Sequence, residues 1–332
     1  MPYHRGRELA NTYERAREAG YGFVASNVTE WNICAGLVRG AAAATSDLVV
    51  QIKRDTARYV GDGDAAAGFQ SMAELVRLLG EGCDVGVFCN VDHVDVADLS
   101  FLDAVVESGL PSSVMVDGSH LPFEENVERT AAAVDRVASG DGPMLVEAEL
   151  GTIAGTEGGE TTTDAYYTDP EAAVTFVEQT GCDLLAVSIG TQHGVADHVD
   201  LDLRVDLARE IAAALADHGL DVPLVVHGSS GLTGDQVAAL LETGVCKLNT
   251  NTRYQYEYAR TAAEFYRDHA DSIVPPGGVD DDRETLFGTA DWSPEKQVFT
   301  PHRVGRAIRD RIAAVYEEFA AISGSAGESR YA

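Results

Sequence analysis

Three of the nine histidines in this chain stand in short motifs whose neighbours could do chemistry. They are Asn90-Val91-Asp92-His93, Gly190-Thr191-Gln192-His193-Gly194 and His227-Gly228-Ser229-Ser230-Gly231. Three imidazoles converging on one point, with a fourth position open, make a catalytic zinc site. Asp92, Asp117 and Glu149 can serve beside them as supports for the ligands, as alternative ligands, or as acid–base groups. One histidine at the end of a strand is more often structural than a ligand. Three at separate strand ends reverse those odds. His4, His218 and His269 lie in polar, helical contexts and read as surface residues.

Two further segments are suited to an anion. His227-Gly228-Ser229-Ser230-Gly231 and Asn249-Thr250-Asn251-Thr252 each precede a helix, where backbone N–H groups and the helix N-terminus can meet a phosphate. Either alone is explained as a tight turn or an N-cap. Together they form a phosphate pair, provided they follow the last two strands of a barrel.

The elements that must position these groups follow from apolar runs at 21–25, 47–52, 85–90, 113–116, 143–148, 183–188, 223–226 and 245–248. Each is short, rich in Val, Leu and Ile, and continuous rather than alternating, as strands buried on both faces should be. Helix-like stretches at 30–44, 68–81, 123–138, 170–180, 201–217 and 233–243 lie between them. Eight strands interleaved with helices predict a single-domain (β/α)₈ TIM barrel spanning 1–332, with a long excursion at 274–302 and a C-terminal helix at 303–322. The alternative, a doubly wound open sheet, needs a glycine fingerprint after its first strand, and Ala25-Ser26-Asn27-Val28 is not one. The barrel places its active site past the C-terminal strand ends. Those positions hold Asn27, Lys53, Asp92-His93, Asp117, Glu149, His193, His227 and Asn249.

Composition narrows the class. The 332 residues carry 54 Asp+Glu against 24 Lys+Arg, a formal charge of −30, yet 45% are hydrophobic, so a large core is available. Disorder requires high charge and low hydrophobicity together. The acidic excess argues against nucleic acid or an anionic membrane as partner. It is spread along the chain, which suits a salt-rich cytosol, where screening acts within about 3 Å at 1 M salt. Five scattered cysteines without a CxxC pair predict a reducing compartment. No signal-peptide core or span of roughly 20 apolar residues appears, so the expectation is a cytoplasmic protein.

The ordered motifs NVDH, SSVMVDGSHLPFEENV, VEAELGTIAGTEG, IGTQHG, VVHGSSGL and KLNTNT resemble those of the class II, metal-dependent fructose-bisphosphate aldolases. The resemblance runs from about residue 20 to 255 and more weakly beyond. It implies a barrel that reversibly cleaves fructose 1,6-bisphosphate to dihydroxyacetone phosphate and glyceraldehyde 3-phosphate, in glycolysis or gluconeogenesis. His93, His193 and His227 then match the zinc ligands. The metal would be Zn²⁺ or another divalent transition ion. Glu149 and Asp117 match acidic positions able to hold a second metal or support the first, and a monovalent cation is a further expectation. Asp92 matches the carboxylate that moves the C4 hydroxyl proton, and Glu157 the loop glutamate that moves the carbon-bound proton. Gly194, Gly228, Ser230, Asn251 and Thr252 match the surroundings of the phosphate. Asn249 matches a neighbour of the enediolate, and Asn27 a neighbour of the open-chain sugar. A homo-oligomer, dimer or tetramer, is implied, with a sugar bisphosphate as partner.

The chemistry asks for such groups in any case. Breaking a C–C bond beside a carbonyl leaves an enediolate whose charge needs an electrophile. Two separate carboxylates can then divide the O–H and C–H proton transfers. The Gly- and Thr-rich stretch 151–168, which carries Glu157, has the composition of a closing loop.

Three positions depart from the family pattern. Gln51-Ile52-Lys53-Arg54 replaces a serine-bearing motif and brings cations to the mouth, where Lys53 could grip a phosphate. Asn251 stands where an aspartate is usual. Arg303, in Thr300-Pro301-His302-Arg303, is the candidate for an arginine that reaches a neighbouring subunit's substrate. Three rival readings remain open here. One is a tagatose 1,6-bisphosphate or other phosphorylated-ketose aldolase. Another is Schiff-base chemistry at Lys53, since Lys247 is an expected residue of the metal-dependent pattern. The third is a non-catalytic barrel subunit that binds sugar phosphate.

Overall fold

A computed structural model of the chain describes all residues except 1, 2, 4, 141, 152–153, 156–166, 194–201, 281–282 and 284–291, and the side chains of 154, 155 and 193. Eight parallel strands close into a barrel: β1 (Phe23–Asn27), β2 (Leu48–Lys53), β3 (Val87–Asp95), β4 (Ser113–Asp117), β5 (Leu145–Leu150), β6 (Leu184–Val187), β7 (Leu224–Val226) and β8 (Val245–Thr250). Every apolar run named above falls on one of them. Closure of β1 onto β8, with Phe23 opposite Lys247 and Ala25 opposite Asn249, excludes the open doubly wound sheet.

The strands read as continuous apolar runs because both faces are covered. Their outward side chains pack under the helices in one large core. Their inward side chains divide by height. Phe23, Val49, Phe88, Leu184 and Val225 fill the N-terminal half, against Leu9, Tyr13 and Ala16 of the helix α1 (Gly6–Ala19). Burying a side chain of this size contributes about 1.5–3 kcal/mol, and the layer seals the barrel floor from water. Above it the interior is polar.

The outer helices are α2 (Trp31–Ala44), α3 (Arg54–Val60), α4 (Ala65–Gly80), α5 (Leu99–Ser108), α6 (Phe123–Ala138), α7 (Pro170–Thr180), α8 (Val205–Asp217), α9 (Gly234–Leu241) and α10 (Thr252–Asp268). A short α11 (Lys296–Phe299) precedes the final α12 (Pro301–Ile322). Side-chain caps start several of them: Asp64 accepts from Ala67 N, Asp169 from Ala172 N, and Thr233 forms a capping box with Gln236. The last helix lies hard against α2 at Gly36 and Gly40. A Cβ at Gly36 would stand 2.7 Å from Ile312 Cβ, and one at Gly40 2.6 Å from the Ala313 carbonyl oxygen. No helix among the described residues is long and apolar enough to cross a membrane. All five cysteines are free.

Candidate active site

The C-terminal ends of β1, β2, β3, β4, β5 and β8, with the residue that follows β7, bring most of the named residues to one mouth. Because side chains alternate along a strand, the inward set at this level is Asn27, Lys53, Asp92, Asp117, Glu149, His227 and Asn249. His93 joins it through a local irregularity. The pairing of β3 with β4 shifts register between Val91 and Val94, and His93 has a φ of +51°, a conformation that few non-glycine residues adopt. The bulge turns the ring of His93 into the barrel beside Asp92.

The two imidazoles face each other, His93 Nε2 standing 3.1 Å from His227 Nδ1. Their far nitrogens are held by carboxylates: His93 Nδ1 lies 2.9 Å from Asp117 Oδ2, and His227 Nε2 lies 2.9 Å from Glu147 Oε1. A carboxylate only accepts, so each held nitrogen carries the hydrogen, and each facing nitrogen presents a lone pair to the other. Two opposed lone pairs repel unless a cation lies between them. Burial alone would lower the His93 pKa, but Asp92, the bond to Asp117 and Glu149 push it up to about 9. Burial drives His227 down to about 4, with the charge of His93 acting in the same sense against Glu147. A proton on His93 is therefore the minimum cation that this pair accepts.

The surrounding oxygens fit a metal ion in the same gap. Asp92 Oδ1, Glu149 Oε2 and Asn249 Oδ1 are buried with no hydrogen-bond partner among the described residues. The donor atoms of Asp92, His93 and His227 lie within 4.8 Å of one another, as do those of His93, Asp117 and Glu149. Tetrahedral ligands at about 2.1 Å from a zinc ion stand about 3.4 Å apart, close to the imidazole spacing. The second group supplies the oxygen donors that a further or alternative cation position would use.

Electrostatics point the same way. Burial, joined by the charges of Asp117, Glu147 and Asp92, raises the Glu149 pKa well above the usual carboxylate range despite His93. Asp92 behaves oppositely. Burial opposes its ionisation, but His93, Lys53 and His227 hold it well below that range. Four carboxylates thus share the interior with two lysines. One of these is fully neutralised: Lys247 Nζ stands 2.5 Å from Glu147 Oε2, both side chains buried.

Lys247 is locked beneath the site by Glu147, which suits the expected metal-dependent pattern and not an imine. Lys53 pairs in register with Asp92, and its charge favours the ionised carboxylate. Arg54 departs from its expectation as a cation of the mouth. Its guanidinium pairs with Asp98, just before α5, and lies 5.9 Å from the Phe101 ring, so its charge is met outside the barrel. Of the two cations expected at the mouth, Lys53 therefore stays beside Asp92 and Arg54 does not.

The anion-binding segments also converge. Gly228 adopts a φ of +69° against the Gln192 backbone, and an added Cβ would meet the Gln192 carbonyl oxygen at 2.4 Å. Ser229 Oγ donates to the Asn249 carbonyl oxygen at 2.8 Å, tying this turn to the end of β8. Ser230 lies in the 3₁₀ turn Ser229–Gly231. Asn251 precedes α10, its side chain accepting from Gln255, and Thr252 is the first helical residue. Asn249 is buried with its side-chain amide 2.8 Å from His227 Nε2. Arg303 is exposed in the first turn of α12, which packs on α2 and α10. Glu157, Gly194 and the side chain of His193 lie outside the described residues. The backbone of His193 pairs in parallel with Gly155.

Glu147, Gln51, Asn90 and Ser113 were not singled out by sequence. Their signal is the two-residue period of a strand. Each of Glu147, Gln51 and Asn90 stands two positions before a mouth residue and points inward one layer below it.

The family model described as fructose-bisphosphate aldolase class-II matches residues 7–328. The D-tagatose-1,6-bisphosphate aldolase subunit GatY of Klebsiella oxytoca is 33% identical over 267 residues, 80% of this chain and 88% of the relative. Among solved structures, a fructose-bisphosphate aldolase from Campylobacter jejuni shares the fold with a TM-score of 0.81 at 22% identity, covering 98% of this chain and 97% of that one. The YdjI aldolase from Escherichia coli K12 superposes with a TM-score of 0.71 at 24% identity, covering 97% and 98%. The chain is a member of the class II fructose-bisphosphate aldolase family.

Proposed function

We propose that this protein is a metal-dependent lyase that reversibly cleaves a ketose 1,6-bisphosphate, with fructose 1,6-bisphosphate as its substrate in glycolysis or gluconeogenesis. The observation that carries this reading is the pair of opposed imidazoles beside a buried carboxylate, Asp92, that has one oxygen held and one without a partner among the described residues. His93 and His227, with His193 by resemblance, would hold a divalent ion, with Asp117 and Glu149 as supports or as a second position. Such an ion supplies a Lewis acid for the enediolate that C–C cleavage leaves behind.

The chain's own groups divide the remaining work. Asp92 is ionised and takes the proton of the C4 hydroxyl through Oδ1. Glu157, by resemblance, exchanges the proton at carbon from its loop. Gly228 lets the backbone come close to the phosphate, with Ser230, Asn251, Thr252 and Gly194 around it. Lys53 offsets anionic charge beside Asp92, and Asn249 and Asn27 contact the sugar oxygens. Arg303 serves a neighbouring copy in a homo-oligomer. The enzyme works in a salt-rich cytoplasm, to which its acidic exterior is suited.

The name of the Klebsiella relative supports a second reading, in which the C4 epimer, tagatose 1,6-bisphosphate, is preferred. That name also describes a subunit, so activity of the purified chain alone decides against a non-catalytic barrel. A metal-replete cleavage assay at molar salt, comparing both bisphosphates, tests the proposal. A higher kcat/KM with fructose 1,6-bisphosphate is expected, a higher value with its epimer would move the assignment, and equal failure with both would end it.

A further inference from the structure

Three buried side chains that the reaction does not itself require, Ser113, Asn90 and Gln51, form with Asn27 an unbroken line across the barrel to Asp92. Ser113 Oγ donates to Asn90 Oδ1 at 2.7 Å, and Asn90 Nδ2 donates to Gln51 Oε1 at 3.0 Å. Gln51 Nε2 donates to Asn27 Oδ1 at 3.0 Å, and Asn27 Nδ2 donates to Asp92 Oδ2 at 2.7 Å. The line follows the sheet itself, since Asn27, Gln51, Asn90 and Ser113 are register partners on β1, β2, β3 and β4. All five residues are at most 3% exposed.

The direction of every bond in the line is forced from one end. Asp92 Oδ2 accepts from Asn27 Nδ2, so the Asn27 NH₂ faces the carboxylate. The Asn27 oxygen then accepts from Gln51, and the same constraint passes through Asn90 to the Ser113 hydroxyl. Each amide has one orientation that satisfies both neighbours, and a flip at any position opposes donor to donor or acceptor to acceptor. In a buried setting a mismatched polar pair loses its hydrogen bond with no water to replace it. The line therefore holds Asp92 by Oδ2 and leaves Oδ1 without a hydrogen-bond partner among the described residues.

We infer that Ser113, Asn90 and Gln51 are positioning residues, acting through Asn27 as a one-way amide relay that selects which oxygen of Asp92 meets the reacting hydroxyl. The inference rests on the aldolase reading for its chemistry, but not for its geometry. The relay reaches a single step, the O–H proton transfer at C4. Proton exchange at the carbon of bound dihydroxyacetone phosphate belongs to a different acid and does not pass through it.

The test uses full-length wild type with Ser113→Ala, Gln51→Met and Ser113→Thr, all metal-replete. Two rates are measured: cleavage of whichever bisphosphate the wild type turns over, and solvent-deuterium exchange into dihydroxyacetone phosphate without aldehyde. Ser113→Ala and Gln51→Met are expected to lower kcat for cleavage about tenfold, with KM and deuterium exchange within twofold of wild type. Ser113→Thr, which keeps the hydroxyl, should stay within threefold. Cleavage at the wild-type rate in both variants, or cleavage and exchange falling in parallel, would overturn the inference. Crystal structures of the same variants read the relay without any activity. Asp92 should leave its contact with Asn27 in Gln51→Met, and an unmoved Asp92 would refute the relay even if the wild type cleaved neither sugar.

Discussion

The buried pair Glu147–Lys247 permits a quantitative prediction, because it stands directly beneath the imidazoles. Lys247 Nζ lies 2.5 Å from Glu147 Oε2, while Glu147 Oε1 accepts from His227. Both side chains are about 1% exposed, so neither charge has water to fall back on. Burial would raise the Glu147 pKa, yet Lys247 and the bond to His227 hold it below the usual carboxylate range. Lys247→Met leaves an uncompensated carboxylate, and Glu147→Gln leaves an uncompensated ammonium. Removing one partner of such a pair costs about 3–5 kcal/mol, whereas removing both together is often nearly neutral. For 332 residues the unfolding entropy of about 2.1 cal/mol/K per residue converts that loss to roughly 4–7 °C in Tm. The assay is urea unfolding of the chelator-treated wild type, both single variants and the double variant, so that bound metal adds nothing to apparent stability. The double variant should be more stable than the sum of the single losses implies, with a coupling energy of about 2 kcal/mol or more. Single losses that add within about 0.5 kcal/mol would refute the claim that the two charges depend on each other.

Two further outcomes follow from the fold and the composition. Gly228→Ala forces a Cβ onto the Gln192 carbonyl oxygen in a backbone conformation that alanine resists, so KM for the bisphosphate should rise at least tenfold. An unchanged KM would remove this turn from the phosphate site. With a formal charge of −30, stability should climb with salt as the screening length shortens from about 10 Å at 0.1 M to about 3 Å at 1 M, raising Tm by roughly 10 °C or more. A flat response would count against the salt-rich setting.

The barrel was legible because strands covered on both faces cannot hide: all eight apolar runs are strands. The six helix-like stretches named between the strands correspond to α2, α4, α6, α7, α8 and α9. Helices α1, α3, α5 and α10 were not among the stretches named, and length is not the reason, because the named α9 has eight residues and α10 has seventeen. Residue types at strand ends were legible, and Asn27, Lys53, Asp92, Asp117, Glu149, His227 and Asn249 do lie at or just past those ends. The layer below was not legible, because reading just past each strand ignores inward residues two positions earlier, where Gln51, Asn90 and Glu147 sit. The fate of Arg54 could not be read locally either, since its partner Asp98 lies 44 residues further on and is brought near only by packing of α3 and β3. The turn of His93 depends on a register slip against β4, which is a property of the pair of strands and not of either sequence.

The central claim is that the opposed nitrogens of His93 and His227 share a metal ion that the reaction requires. It is tested most directly by stripping the purified enzyme with a chelator and restoring it by titration with Zn²⁺, following cleavage and bound metal together. Activity is expected to fall to background on stripping, to return in proportion to metal bound, and to be lost with metal binding in His227→Ala. Borohydride added with substrate should leave the enzyme active. Turnover that survives complete metal removal, or inactivation by borohydride with substrate, would contradict it.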